Sequence, residues 1–143
     1  MSAIQFELPD SRVLDLFAGS GALGIEALSR GAAHATFVEN SPRALTALRA
    51  NLQKLGASGE AEVVRGNAMD YVARLAPGSF DIALADPPYG QGLAARLAEL
   101  FAKGPFAQSL WIEHGADEPL PEQAGARTRR YGDTAITMIP APS

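Results

Sequence analysis

Apolar residues along the chain form short continuous runs, which are separated by stretches with helical spacing. Each run is bounded by glycine, proline or polar residues and predicts a β-strand. The five runs span residues 12–17, 34–39, 61–65, 80–85 and 107–113. Apolar positions three or four residues apart predict helices over about 22–30, 42–55, 68–75 and 93–103. Because strands alternate with helices, we expect parallel strand pairing through helical crossovers.

The C-terminal part of the chain has a different pattern. An acidic, proline-rich loop is expected over residues 115–126, and strand-like runs follow at 127–131 and 134–139. Gly132-Asp133 between these runs is a hairpin signal. We therefore expect an α/β fold, with a mostly parallel seven-stranded sheet, an antiparallel C-terminal hairpin and helices on both faces. A single domain is expected over residues 1–143, with a short lead-in over 1–11.

Composition limits the classes of function. The 143 residues include 12 Lys plus Arg and 16 Asp plus Glu, a net charge of -4, so any nucleic-acid contact must be local. The absence of cysteine excludes disulfides and thiolate metal sites. The two histidines, His34 and His114, are expected at the surface or in loops, and no metal site is expected. With no signal peptide and no apolar run near 18 residues, we expect a cytoplasmic monomer that is not bound to a membrane.

A glycine-rich segment follows the first predicted strand. Gly19, Gly21 and Gly24 form a G-x-G-x-x-G pattern, and Glu39 ends the next strand 20 residues after Gly19. Such glycines let the backbone approach a ligand, and a carboxylate in that position accepts hydrogen bonds from ribose hydroxyls. The pattern predicts a nucleotide-like ligand. The alternative is a tight turn beside a solvated Glu39.

Asp15 lies inside the first strand, and a carboxylate there favours a ligand with a cationic group. The segment from Asp15 to Gly21 resembles the first motif of S-adenosylmethionine-dependent methyltransferases. The resemblance implies that Asp15 helps to hold the ammonium group of the methionine moiety. It also implies that Asn67 and Ala68 lie against the adenine. Asn67 has an equal alternative role as the N-cap of the following helix.

Asp86-Pro87-Pro88-Tyr89 follows the fourth strand, where open parallel sheets bind ligands. Two consecutive prolines remove two N–H donors, so the segment offers mainly hydrogen-bond acceptors. The Asp86 carboxylate and the Pro87 carbonyl suit an exocyclic NH2 group, and Tyr89 is expected to stack on the base. The alternative is a motif that only ends a strand.

From Arg12 to Ile139 the chain resembles bacterial 16S ribosomal RNA guanine-N2 methyltransferases of the RsmD type. The matching stretches are residues 14–31, 37–39, 66–69, 86–89 and 130–134. The resemblance implies a Rossmann-like S-adenosylmethionine-dependent methyltransferase fold and methyl transfer to guanine N2. It also implies S-adenosylhomocysteine as product and ribosomal RNA or the small-subunit particle as partner. The basic hairpin and Arg-Pro-Thr segment with which that family begins have no counterpart in the 11 residues before the first strand.

The resemblance and the motifs together define candidate site residues. The expected catalytic residues are Asp86, Pro87 and Tyr89. The expected cofactor-binding residues are Asp15, Phe17, Ala18, Gly19, Ser20, Gly21, Glu39, Asn40, Asn67, Ala68 and Asp86.

Alternatives to this function remain open from the sequence. A DNA adenine-N6 methyltransferase would use the same acceptor pocket, and a catalytically weak partner subunit would keep only the cofactor site. A nicotinamide oxidoreductase has only the glycines and Glu39 in its favour. The basic cluster at residues 127–130 is either an RNA contact or a solvated edge strand. Glu113 ends a strand on the ligand side, where the alternatives are a contact with the substrate and a solvated carboxylate, and we expect the solvated carboxylate. Trp111 is interpreted as a core residue.

Overall fold

The computed structural model describes residues 9–142, so most of the expected lead-in lies outside the described residues. The strands are β1 (Arg12–Leu16), β2 (His34–Glu39), β3 (Ala61–Arg65), β4 (Phe80–Ala85), β5 (Ala107–Gly115), β6 (Arg127–Tyr131) and β7 (Thr134–Pro140). The helices are α1 (Ala22–Ser29), α2 (Pro42–Lys54), α3 (Ala68–Ala73) and α4 (Leu93–Lys103), with a 3₁₀ turn at Ser58–Glu60. None of the helices within residues 9–142 is long and apolar enough to cross a bilayer.

The strands form one seven-stranded sheet in the order β3-β2-β1-β4-β5-β7-β6. Strands β1 to β5 pair in parallel, and β7 is antiparallel to both of its neighbours. This confirms the expected α/β sheet with its antiparallel C-terminal hairpin. Because β1 lies between β2 and β4, the strand order reverses beside β1, and open sheets bind ligands at such a reversal.

Helices cover both faces of the sheet, as expected. Val13 of β1 packs with Leu48 of α2 in one buried cluster, whereas Leu14 packs with Leu97 of α4 in another. Successive strand residues point to opposite faces, so this alternation along β1 feeds both cores. The carboxyl ends of the parallel strands are therefore held between two packed layers.

Local signals at the helix ends account for several boundaries. The Ser41 side chain accepts a hydrogen bond from the Ala44 N–H at 3.3 Å, and Pro42 occupies the first helical position of α2. Gly31 and Gly56 follow α1 and α2 with φ of 107° and 67°, which glycine adopts readily. The N-cap and both glycine stops were predicted correctly.

Several predicted boundaries were wrong by one or two residues, among them the ends of β1 and α3. Phe17 has φ of 57°, so β1 ends at Leu16 and the turn begins one residue earlier than its apolar pattern indicates. Helix α3 ends at Ala73 rather than at Leu75, because the C-cap Arg74 leaves the helical path. An apolar side chain just beyond a strand or helix can still be buried in the core, so its apolar character does not show where the regular backbone ends.

His114, expected at the surface or in a loop, is instead buried within β5 and 4% exposed. Strand β5 continues to Gly115 because it pairs with β7 through His114↔Ala135 and Gly115↔Thr134. The His114 Nε2 atom lies 2.7 Å from the Thr137 hydroxyl. A buried imidazole needs such partners, and the hairpin that supplies them is distant in sequence.

Gly24 sets the distance between α1 and the sheet, because a Cβ atom there would overlap the ring of Phe37, which is fully buried. We predict that Gly24→Ala lowers the free energy of unfolding by about 1–3 kcal/mol, since the ring has no free space to enter. Urea unfolding measures this change. Gly59→Ala is the matched control, because nothing lies within 4 Å of its added Cβ. Equal stability of the two variants would contradict close packing at Gly24.

Candidate active site

The carboxyl ends of β1, β2 and β4 meet at one edge of the sheet, and most of the predicted site residues lie there. The glycine turn follows β1, Glu39 ends β2, and Asp86 follows β4. Gly66, which follows β3, donates its N–H to the Glu39 carbonyl at 3.0 Å and brings Asn67 to the same edge. Residues that are far apart in sequence are thus brought together as expected.

The turn after β1 is held in an unusual backbone conformation. Phe17, Gly19 and Gly21 have φ of 57°, 58° and 89°. Ala18 donates its N–H to the Val38 carbonyl at 3.1 Å, which anchors the turn to β2. Gly21 is the N-cap of α1 and has no side chain to cap it, so the first helical N–H groups face the turn.

The glycines of the turn have different roles. A Cβ atom on Gly21 would overlap Leu48, so this glycine allows α2 to pack closely. Gly19 has nothing within 4 Å of the corresponding position. Of the two, Gly19 is the one beside open space, and its backbone is accessible to a ligand.

Glu39 joins the glycine turn to the start of α2. One carboxylate oxygen, Oε1, accepts the N–H of Gly19 at 2.7 Å, and the other, Oε2, accepts the N–H of Ser41 at 2.8 Å. Each carboxylate oxygen has a further lone pair, so both remain able to accept a ribose hydroxyl. Its two backbone contacts make Glu39 more than a solvated strand end, and its contact with a ribose stays a prediction.

Asn51 of α2 is a contact that the sequence did not indicate. Its side-chain N–H donates to the Ser20 carbonyl at 3.0 Å and holds the glycine turn from the helix side. The only indication of this contact in the sequence is that Asn51, a polar residue, lies three positions after Leu48 on the otherwise apolar stripe of α2.

Asp15 is 1% exposed, and its Oδ2 atom accepts the N–H of Gly24 at 3.0 Å. Burial raises the pKa of Asp15 to about 8, the Gly24 N–H opposes that rise, and the charges of Asp86 and Glu39 add to it. A nearby cation would favour the ionised form of this buried carboxyl group and lower its pKa.

Asn67 is the N-cap of α3, because its Oδ1 atom accepts the Asp70 N–H at 3.0 Å. The alternative role of Asn67 as a helix N-cap is thus confirmed, and its contact with adenine stays a prediction. Ala68 is buried at the start of the same helix, and Asn40 is exposed between Glu39 and the start of α2.

Asp86 and Tyr89 are exposed, whereas Pro87 between them is buried. The Tyr89 ring is half-exposed, and its hydroxyl lies 3.3 Å from the Thr134 hydroxyl at the start of β7. The motif is therefore connected to the C-terminal hairpin. One face of an aromatic ring beside an acceptor-rich segment is suited to stacking on a base.

Glu113, interpreted from the sequence as a solvated carboxylate, is half-buried, and its charge acts on the carboxyl group of Asp86. Although Asp86 as a residue is exposed, partial desolvation of its carboxyl group and the negative charge of Glu113 raise its pKa to about 6. The pairing of β4 with β5 through Ala85↔Ile112 brings the next residues of both strands together. The strand register is the signal that would have identified Glu113.

A groove of about 520 Å³ lies on the outer part of the sheet, beside this edge. Its lining residues are Trp111, Arg127, Thr128, Arg129, Tyr131, Ile136 and Met138. Trp111, expected in the core, is only partly buried and lines this groove. All five residues of β6 are exposed, so its arginines lie on an edge strand beside the groove.

Comparison with known proteins identifies the family. The family described as "Conserved hypothetical protein 95" matches residues 1–139. The chain belongs to this family. Its curated members are of the RsmD type, which confirms the resemblance identified in the sequence.

Two curated relatives of this RsmD-type chain are clearly similar in sequence. The "Ribosomal RNA small subunit methyltransferase D" of Escherichia coli strain K12 is 38% identical over 115 residues, 78% of this chain and 57% of the relative. The "Putative rRNA methyltransferase YlbH" of Bacillus subtilis strain 168 is 36% identical over 137 residues, 89% of this chain and 74% of the relative. The chain thus spans a little over half of the length of the E. coli relative.

A solved structure also shares the fold of this RsmD-type chain. The crystal structure of a putative methylase from Haemophilus influenzae has a TM-score of 0.84 and 30% sequence identity. It is matched over 95% of this chain and 89% of that chain. The Rossmann-like methyltransferase fold is therefore confirmed.

The buried Asp15 makes the stability of the fold depend on pH. The folded chain holds the Asp15 proton up to a pKa of about 8, whereas a free aspartate releases it near 3.8, so stability falls as pH rises between these values. Between pH 5 and pH 9 the free energy of unfolding should fall by roughly 3 to 5 kcal/mol less in Asp15→Asn than in the unsubstituted chain. Urea unfolding at both pH values measures it.

The exposed Asp117→Asn variant is the control for this prediction and should keep the full fall. A fall of the same size in Asp15→Asn and in the unsubstituted chain would show that Asp15 is ionised at neutral pH.

Proposed function

We propose that this chain is an S-adenosylmethionine-dependent methyltransferase that acts on the exocyclic N2 amino group of a guanine in 16S ribosomal RNA. The observation that carries the proposal is Asp86-Pro87-Pro88-Tyr89 at the carboxyl end of β4, beside the glycine turn. The RsmD-type relatives support the RNA substrate. With that substrate the chain acts in the cytoplasm, and we propose that it does so as a monomer without a metal ion.

The charges at the sheet edge fit the proposed cofactor. Asp15 and Asp86 have raised pKa values, chiefly because both carboxyl groups are desolvated and further because neighbouring carboxyl groups repel them. A ligand with ammonium and sulfonium groups would relieve that repulsion. The residues proposed to contact it are Asp15, Phe17, Ala18, Gly19, Ser20, Gly21, Glu39, Asn40, Asn67, Ala68 and Asp86.

Each part of the proposed cofactor has a matching group on the chain. Asp15 faces the ammonium, the first N–H groups of α1 suit the carboxylate, and Glu39 accepts the ribose hydroxyls. Asn67 and Ala68 lie at the adenine end. When bound, S-adenosylmethionine supplies an electrophilic methyl group.

The acceptor end of the site positions the amino group. The Asp86 carboxylate and the Pro87 carbonyl accept its two hydrogen bonds, and Tyr89 stacks on the base. This arrangement directs the nitrogen lone pair at the methyl carbon. The N–C bond forms as the C–S bond breaks, the electron pair stays on sulfur, and the nitrogen releases one proton to solvent. Placement of this kind is worth roughly 7 to 11 kcal/mol in favourable cases.

The arginines of β6 supply a local basic surface on an acidic chain. Arg127, Arg129 and Arg130 are exposed, and Arg127 and Arg129 line the groove together with Trp111 and Tyr131. Arginine pairs with phosphates and stacks on bases, and aromatic rings stack on unpaired bases. We propose that the RNA backbone crosses this surface to reach Asp86.

Asp86→Ala tests the acceptor end. We predict that it lowers the rate of methyl transfer to small-subunit ribosomal RNA by at least about 100-fold, because the amino group loses its charged acceptor. The affinity for S-adenosylhomocysteine should stay within about tenfold, since most cofactor contacts are elsewhere. Tritium transfer and calorimetry measure the two effects.

Glu99→Ala, on the exposed face of α4, is the control and should leave both quantities unchanged. Near-normal transfer by Asp86→Ala would remove Asp86 from the acceptor pocket. Cofactor binding without transfer by the unsubstituted chain would instead favour a cofactor-binding partner subunit.

Replacement of Arg127, Arg129 and Arg130 by alanine tests the RNA surface. We predict that the slope of log affinity for small-subunit RNA against log salt becomes shallower by about 2, because up to three phosphate contacts are lost. Filter binding over a salt series measures the slope.

The matched control removes three exposed cations elsewhere, at Arg49, Arg74 and Lys103. If the two triple variants change the slope equally, only net charge matters and β6 is not an RNA surface.

A further inference from the structure

Glu113 and Asp86 form a pair of carboxyl groups at the substrate end of the site. The two residues follow Ala85↔Ile112, the last paired positions of the parallel strands β4 and β5. Asp86 is the first residue after β4 and Glu113 is the next residue of β5, so the two are neighbours across the end of this strand pair. The two carboxyl groups are near enough for the charge of Glu113 to act on Asp86.

The position of Glu113 is fixed by strands on both sides. On one side β5 pairs with β4, and on the other Glu113 is opposite Ile136 of β7. A side chain on a central strand is held more precisely than one on a loop, so the position of Glu113 is well defined. Such a group is suited to distinguishing one base from another.

Two adjacent carboxylates match the hydrogen-bonding edge of guanine. Guanine presents two neighbouring donors, N1–H and the N2 amino group, whereas adenine presents its N6 amino group beside the N1 acceptor. A carboxylate accepts hydrogen bonds and does not donate them. A carboxylate that faces adenine N1 would meet a lone pair and stay unsatisfied, which is costly in a desolvated site.

We propose that Glu113 accepts a hydrogen bond from guanine N1–H while Asp86 holds the N2 amino group, so that Glu113 selects guanine over adenine. This inference rests on the proposed function and names the group that selects its base. It also separates the chain from an adenine-N6 methyltransferase, for which an ionised Glu113 would be unfavourable.

The state of the free pair supports this role. The proximity of Glu113 raises the pKa of Asp86, so the two carboxyl groups repel each other when both are ionised. Two donors on one base edge would bridge them and remove the repulsion. Guanine supplies two donor groups, N1–H and the N2 amino group, whereas adenine supplies only the N6 amino group.

The test uses 2-aminopurine, which keeps the exocyclic N2 amino group but has an acceptor at N1. Two single-stranded RNA oligonucleotides of otherwise identical sequence, built from A, C and U, are compared. One carries a single guanine, and the other carries 2-aminopurine at the same position. Dissociation constants are measured with S-adenosylhomocysteine present, by 2-aminopurine fluorescence and by competition with the guanine oligonucleotide. The ratio of the two constants isolates the contact to N1, because other differences between the bases affect all variants alike.

We expect the unsubstituted chain to bind the guanine oligonucleotide at least about tenfold more tightly than the 2-aminopurine oligonucleotide. Glu113→Gln should lower this ratio about tenfold or more, because an amide can donate to N1 of 2-aminopurine. Glu113→Ala should lower the ratio too. Glu62→Gln, on the exposed face of β3 at the far edge of the sheet, should leave it unchanged.

If both Glu113 variants keep a ratio within about twofold of the ratio measured for the unsubstituted chain, the assignment is overturned. A parallel assay of tritium transfer to small-subunit RNA separates this outcome from failure of the proposed function. No transfer by the unsubstituted chain, with the ratio still dependent on Glu113, would overturn methyl transfer and keep the guanine contact.

Discussion

Four carboxyl groups lie at the carboxyl edge of the parallel sheet, and the desolvation of Asp15 and Asp86, reinforced by repulsion from their neighbours, is the constraint on which the site depends. Asp15 is the penultimate residue of β1 and Glu39 is the last residue of β2, whereas Asp86 directly follows β4 and Glu113 lies on β5. The pKa of Asp15 is raised to about 8 and that of Asp86 to about 6. Groups in this state are costly to ionise without a partner, so the edge favours ligands that bring positive charge and hydrogen-bond donors.

The scaffold keeps these acids in place by satisfying them with backbone N–H groups. Glu39 accepts from Gly19 and Ser41, and Asp15 accepts from Gly24. The same contacts hold the glycine turn against β2 and α1. The fold therefore depends on the same carboxylates that we propose to bind the ligand, and this double role would account for a buried acid in β1 at a cost to stability near neutral pH.

Most of the fold and half of the site could be predicted from local sequence. The alternation of strands and helices, the N-cap Ser41 and the hairpin signal at Gly132-Asp133 depend on neighbouring residues, so their patterns are visible in the sequence. Glu113 and His114 were misinterpreted because their partners lie on strands that are distant in sequence. Only the strand register, through Ala85↔Ile112 and His114↔Ala135, brings those partners into contact.

The central claim, that the acidic edge is a site for a cationic methyl donor, is tested most directly by calorimetry. The chain is titrated with S-adenosylhomocysteine near pH 7 in two buffers of different ionisation enthalpy, and NADH serves as the control ligand. The account predicts micromolar binding of S-adenosylhomocysteine alone, with a net release of protons as Asp15 ionises against the ligand ammonium. Binding of NADH, or binding of S-adenosylhomocysteine without proton release, would contradict it.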